Sequence, residues 1–483
     1  MCVSRRWLFR LALLALVVSV AAVFLINMLE LQIPLFHDED EWVYEHIEIP
    51  EIDSPMPSKH EPVFLPPEND TEVPVIVWWT PFTPFQRVVR ECPGGECIFS
   101  QSRTEVNNTK AAFIYYGTEL NWHDLPLPRQ PNQLWALLHE ESPKNNWILA
   151  HENGLRLFNF TSTCSRYSNY PLPTQFLHTL QKLTQPVRVP TDQKSKGDLG
   201  LVVYIQSDCN PPSDRDSYVE ELMKYVRVDS YGRCLHNRDL PEHLLDTLTF
   251  DKEDLLNIVA KYKFAIAFEN AICHDYITEK FWRPLYAGSV PIVKGSPTIR
   301  DWAPDTEHSI VVADDFPSPK ALAEFLHFLD ENDSEYEKYL EFKKSGVTNT
   351  RLLKHMEERE WVVDYEEPGI NFIDGFECYV CGEMHKRLKL GEQAPVMVAN
   401  GDHYHCPIPE PSLKLVEGET VQQRMEKLGA NAKTELEYWR YVARCSEKKA
   451  AVVAGVVGRG GTQEEVTQAL REACHGVQFS EPT

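Results

Sequence analysis

Residues 261–297 read KYKFAIAFENAICHDYITEKFWRPLYAGSVPIVKGSP, and this stretch decides the fold. A short apolar run, Phe264 to Phe268, has the length and composition of a strand buried on both faces. A polar loop, Glu269 to Asp275, leads into a segment beginning near Thr278, where Phe281, Trp282 and Leu285 have helical spacing. A second buried strand, Val290 to Val293, follows, punctuated by Gly288, Gly295 and Pro297. Strand, helix and strand in this order predict one unit of a parallel sheet. Ligands of such sheets sit where strands end and helices begin, because free backbone N–H groups and the positive end of the helix dipole point there. Glu279 and Lys280 fall in that first turn. Lysine there suits a phosphate, and glutamate suits sugar hydroxyls or a developing positive charge.

The same alternation continues toward the N-terminus. Leu201 to Ile205 reads as a strand, and Ser213 to Leu222 as a helix start with Ser213 as its N-cap. Asp214-Arg215-Asp216 is formally an Asp-x-Asp, the triplet by which two carboxylates hold Mn²⁺. Helical residues two apart do not share a face, so no metal is expected there. Earlier still, Val73 to Trp79, Ala111 to Tyr116 and Leu134 to Leu138 are apolar runs with strand lengths, and the last leads into His139-Glu140-Glu141-Ser142-Pro143. Carboxylates just past a strand end are placed for chemistry, which makes Glu140 and Glu141 candidates. On the C-terminal side, Pro319 to Asp330 is an amphipathic helix whose Leu322, Phe325, Leu326 and Leu329 form a core-facing stripe. The expected fold class is α/β, two Rossmann-like domains facing a cleft.

Phe268-Glu269-Asn270-Ala271, Asp275-Tyr276-Ile277-Thr278-Glu279-Lys280 and Val290-Pro291-Ile292 closely resemble the donor-binding motif of the α-1,3-fucosyltransferases, glycosyltransferase family 10. The resemblance runs from about Pro74 to Trp361. It is nearest to a divergent branch whose members are also described as protein O-fucosyltransferases. Arg283-Pro284-Leu285 replaces the family's Arg-Asn-Ala. The resemblance implies a GT-B architecture with GDP-fucose on the second domain, contacted by Arg215, Asn270, Tyr276, Glu279 and Lys280. It aligns Glu141 with the general base of the family's Glu-Ser/Ala-Pro triplet. Arg166, after the Phe158-Asn159-Phe160-Thr161 segment, is either a pocket residue or a structural ion-pair partner. An inverting, metal-independent transfer of fucose is implied, to Ser/Thr of a secreted EMI-type domain or to GlcNAc on an N-glycan. The first of these is the acceptor the branch favours.

Composition bounds the class of protein. The 483 residues exceed one ordinary core, and a net charge of −24 without a basic stripe argues against a nucleic-acid partner. Leu11 to Leu29 carries no charge and as a helix would run about 28 Å, against roughly 30 Å of bilayer hydrocarbon. Arg5, Arg6 and Arg10 precede it and acidic residues follow, which predicts a signal-anchor with a cytosolic N-terminus in the endoplasmic reticulum or Golgi membrane. The expected organisation is a tail at 1–10, an anchor at 11–29, an acidic, proline-dotted stem at 30–72, domains at 73–195 and 196–365, and a cysteine-containing extension at 366–483. Sequons at Asn69, Asn107, Asn159 and Asn332, and the clustering of Cys92, Cys97, Cys378, Cys381 and Cys406, suit an oxidising compartment. Cys378 and Cys381 with His403, His405 and Cys406 also have the makings of a zinc knot, but disulfides fit that compartment better. Two other classes stay open. A glycoside hydrolase would use two carboxylates across a cleft but has no need of Lys280 and Arg215; a non-catalytic chaperone would bind clients without donor.

Overall fold

The computed structural model describes residues 73–80, 87–245, 252–363 and 368–477, which belong to one compact unit. The tail, anchor and stem expected at 1–72, with Asn69, lie outside the described residues. Among the described residues, no helix is long and apolar enough to cross a membrane.

The N-terminal half is built on six strands, β1 (Val75–Trp78), β2 (Arg87–Cys92), β3 (Gly95–Ser100), β4 (Ala111–Tyr116), β5 (Leu134–His139) and β6 (Phe160–Thr163). Their order is β2-β3-β1-β4-β5-β6, parallel except for the β2–β3 hairpin. The C-terminal half carries β7 (Val202–Tyr204), β8 (Val228–Ser230), β9 (Phe264–Phe268), β10 (Val290–Lys294) and β11 (Val311–Val312), all parallel, in the order β11-β10-β9-β7-β8. The expected strand–helix–strand unit is present, its helix spanning Glu279–Ala287 between β9 and β10. In the Pro319–Glu331 helix, Leu322, Leu326 and Leu329 are buried and Phe325 partly so, as the amphipathic pattern required.

Parallel strands need cover on both faces. The first sheet obtains it from the far end of the chain. Ile76, Trp78, Ala112 and Ile114 pack with Phe376, Val380 and Met384 of the Phe372–Leu390 helix. On the other face, Val75, Val77, Phe113 and Trp135 share a core with Val453 and Val456 of the Ala430–Gly458 helix and Val466 and Leu470 of the Gln463–Ala473 helix. The residues expected to form an appended extension are therefore the two outer layers of the N-terminal half. Periodicity within the segment carries no record of what covers it. Cys92–Cys378 and Cys97–Cys381 bridges fasten the first layer, and a Cβ on Gly94 would collide with the backbone of Gly382. Trp78 Nε1 and Arg90 both donate to the buried Glu377 carboxylate. Cys378, Cys381 and Cys406 are thus in disulfides, the last with Cys273.

One expected glycosylation site is corrected. Asn159 is buried, its Oδ1 accepting from Trp135 N (2.9 Å) and Arg129 (2.6 Å) and its Nδ2 donating to the Met397 carbonyl (2.8 Å). A glycan has no room there. Asn107 is exposed, and Asn332 is half-buried with its Nδ2 on the Phe328 carbonyl. Peptide mapping should find Asn159 unmodified. Asn159→Ala should cost about 2 kcal/mol in urea unfolding, because it strands buried backbone groups.

Candidate active site

Two loop sets meet at the site, one from each sheet. On the C-terminal half, β9 ends at Phe268 and the chain turns through Glu269, whose buried carboxylate accepts from the Thr278 amide (2.8 Å) and hydroxyl. Thr278 is the N-cap of the Glu279–Ala287 helix. The helix start is therefore partly taken by the protein's own carboxylate, and what it offers a ligand is side chains. Lys280 Nζ lies 3.1 Å from Thr278 Oγ1 and 3.0 Å from Glu279 Oε1. Burial pushes the Glu279 carboxyl up, but Lys280 and Arg283 outweigh it and hold it at about 2, so it is ionised at neutral pH.

Arg215 is the first residue of the Arg215–Leu222 helix and is buried. It donates to the carbonyls of Phe268 (3.0 Å) and Asp208 (2.7 Å), tying the end of β9 to the loop after β7, while its Nε has no partner among the described residues. The N-cap of this helix is Asp214, in the left-handed region at φ 50°, and not the expected Ser213, whose hydroxyl goes to the Glu269 carbonyl. Asp214 accepts from Ser217 and from the Ser412 amide, and Asp216 from Tyr204 and the Asn210 amide. The two carboxylates of the Asp-x-Asp thus serve separate structural partners. Asn270 has a buried Oδ1 without a partner among the described residues.

Arg215, Asn270, Glu279 and Lys280 line one cavity of about 480 Å³, joined there by Arg233, His236 and Arg283. Sequence reasoning gave these last three no site role. The available signal was Gly232, where a Cβ would strike the Gln206 backbone, so the loops after β7 and β8 must touch beside the cavity.

On the N-terminal half, Glu140 and Glu141 follow β5. Glu140 Oε1 accepts from Tyr116 OH (2.9 Å), its Oε2 is buried without a partner among the described residues, and burial lifts its carboxyl to about 7. Glu141 is also raised by burial; Lys280 opposes the shift, while Glu279 and Asp208 add to it. Its charge therefore feels the donor-side residues across the two sheets. Lys144, three residues on, pairs with Asp208 and links the loops after β5 and β7. Tyr276 is buried within electrostatic reach of Glu141, Glu269 and Glu279, between the two loop sets.

Arg166 resolves toward structure. Its backbone amide and Nε hold Asp275 Oδ2 (3.0 and 2.8 Å), NH1 reaches Asp301 (2.8 Å), and the guanidinium lies 4.8 Å from the Trp302 ring centroid. It borders a separate cavity, of about 850 Å³, with Tyr167, Arg351 and His355.

Comparison with known proteins gives the family. Residues 71–175 match the family model described as fucosyltransferase, N-terminal, and residues 193–397 that of glycosyltransferase family 10 (fucosyltransferase), C-terminal. GDP-fucose protein O-fucosyltransferase 3 of Danio rerio is 47% identical over 352 residues, 71% of this chain and 76% of that protein. The Homo sapiens protein of the same name is 45% identical over 348 residues, 70% and 72% of the respective chains. A solved α1,3-fucosyltransferase structure with GDP-fucose is 13% identical, spans 70% of this chain and 96% of that one, and superposes with a TM-score of 0.38. The family-model matches and the identity to curated relatives place this chain among the glycosyltransferase family 10 fucosyltransferases.

Proposed function

We propose that the chain transfers L-fucose from GDP-β-L-fucose to a hydroxyl of a secretory-pathway glycoprotein, across a GT-B cleft, with Glu141 as general base. The observation that carries this is the joining of the loop after β5, which bears Glu141, to the loop after β7 through Lys144 and Asp208, with Asp208, Glu279 and Lys280 lining one cavity. The diphosphate lies in the cavity lined by Lys280, Arg215 and Arg233, where exposed Arg233 has no partner among the described residues. Cations there stabilise the charge that develops on GDP as the glycosidic C–O bond breaks. Fucose carries oxocarbenium character at that point, as in other glycosyl transfers. Glu141 takes the acceptor proton as the hydroxyl attacks from the face opposite GDP, which inverts the anomeric centre from β to α. Both aspartates of the Asp-x-Asp are engaged within the protein, which supports transfer without a divalent metal.

Relatives named GDP-fucose protein O-fucosyltransferase 3 favour a protein hydroxyl over GlcNAc of an N-glycan as acceptor, and the proposed acceptor is Ser/Thr of a folded EMI-type domain. Five disulfides support residence in an oxidising lumen, endoplasmic reticulum or Golgi. The test incubates the purified chain with GDP-fucose and EDTA, offering a folded EMI-type domain beside a GlcNAc-terminated N-glycopeptide. The expected result is a one-deoxyhexose mass gain on the folded domain alone. Gain on the glycopeptide alone reverses the acceptor; no gain until metal is added refutes metal independence. Release of fucose to water from either acceptor would favour a hydrolase.

A further inference from the structure

Residues 399–412 run past the end of the matched family models and through the site from one half to the other. Ala399 N donates to the Phe158 carbonyl, and Ser165 Oγ to the Asp402 carbonyl, fixing the start of the loop to the residues that flank β6 on either side. Its other end gives the Ser412 amide to Asp214, the N-cap of the Arg215–Leu222 helix. Between these anchors lies Tyr404, 1% exposed. Its hydroxyl donates to the Glu141 backbone carbonyl at 2.7 Å, and its ring meets His139, two residues earlier, at 5.0 Å. The next residue, His405, accepts from the His274 amide (3.0 Å), and Cys406 is disulfide-bonded to Cys273. His274 and Cys273 belong to the loop between Asn270 and Tyr276. Three consecutive residues thus touch the loop bearing the base and the loop bearing the donor contacts.

We propose that Tyr404 is a positioning residue for the transfer reaction: its hydroxyl, locked by the Cys273–Cys406 bridge, sets the Glu141 loop in register with the donor loop. The inference rests on Glu141 being the base. Tyr404 touches no reacting atom and acts only through the backbone that carries Glu141. The physical reason is that base and donor stand on different sheets, with a reaction distance fixed by neither alone. A misplacement of about 1 Å can cost about 10²-fold in rate.

The experiment compares the whole chain with Tyr404→Phe, Glu141→Gln and the double variant, measuring deoxyhexose transfer, KM for GDP-fucose and GDP affinity. Tyr404→Phe should lower kcat about 10-fold, with KM and GDP affinity within about twofold, as for loss of orientation without loss of binding. The double variant should be no slower than Glu141→Gln, because a residue acting through Glu141 has nothing left to position. Unchanged kcat in Tyr404→Phe, or losses that multiply in the double variant, overturn the proposal. Near-wild-type turnover in Glu141→Gln sinks the base assignment itself, a separate outcome. If Tyr404→Phe loses GDP binding and so fails to fold, Cys406→Ser replaces it, keeping the tyrosine hydroxyl while releasing the lock. A drop in kcat alone supports the proposal there too, and no drop refutes it.

Discussion

Glu141→Gln should lower kcat by about 10²- to 10⁴-fold while leaving GDP affinity and unfolding midpoint close to those of the native chain. The amide keeps the shape of the carboxylate but cannot accept the acceptor proton. Glu140 does not compensate, because its carboxylate is engaged by Tyr116 and buried. Glu140→Gln is the informative control: a smaller loss than Glu141→Gln supports the assignment, and a larger one transfers the role to Glu140. Steady-state transfer with GDP release as readout distinguishes the two.

Lys280→Ala should have the second large effect, lowering kcat/KM by about 10²- to 10³-fold and weakening GDP binding, as expected when a cation is removed from a developing phosphate charge. It should also move the acid limb of the pH profile. Lys280 lowers both the Glu141 and Glu279 carboxyl pKa values, so its removal raises both. Glu141 must be ionised to act, so activity in the variant should fail at a higher pH on acidification. An acid limb that stays put would mean that Lys280 and the base do not share a site. Isothermal titration with GDP measures the binding loss separately.

Much of the donor half was legible because its elements are local. Phe264 to Phe268 and Val290 to Val293 are continuous apolar runs, and the helix between them carries Phe281, Trp282 and Leu285 at helical spacing, all buried here. Glu279 and Lys280 could be placed at the helix start for the same reason. Long-range partners were not legible. Nothing in Arg166 shows that Asp275 and Asp301, more than a hundred residues away, take its guanidinium. Asn159 has the sequon triplet, yet three contacts from elsewhere in the chain decide its fate. Ser213 has the composition of an N-cap, but the loop holds its hydroxyl on Glu269 and passes the cap to Asp214. Tyr404 stood in a stretch read only for cysteine chemistry.

The covering of the first sheet also sets a timetable for biosynthesis. β6, its last strand, ends at Thr163, whereas the helix that completes one of its faces ends at Ala473. At translation rates of about 5–20 residues per second, those partners arrive about 15–60 s after the strands have emerged. For that interval the nascent chain presents the apolar faces of Val75, Val77, Phe113 and Trp135 without their final neighbours. The donor half, whose strands and helices pack on one another within a shorter span, can assemble meanwhile. The N-terminal half, made first, is therefore finished last, and a ribosome that stops near residue 400 releases a chain whose first sheet lacks one of its two covers.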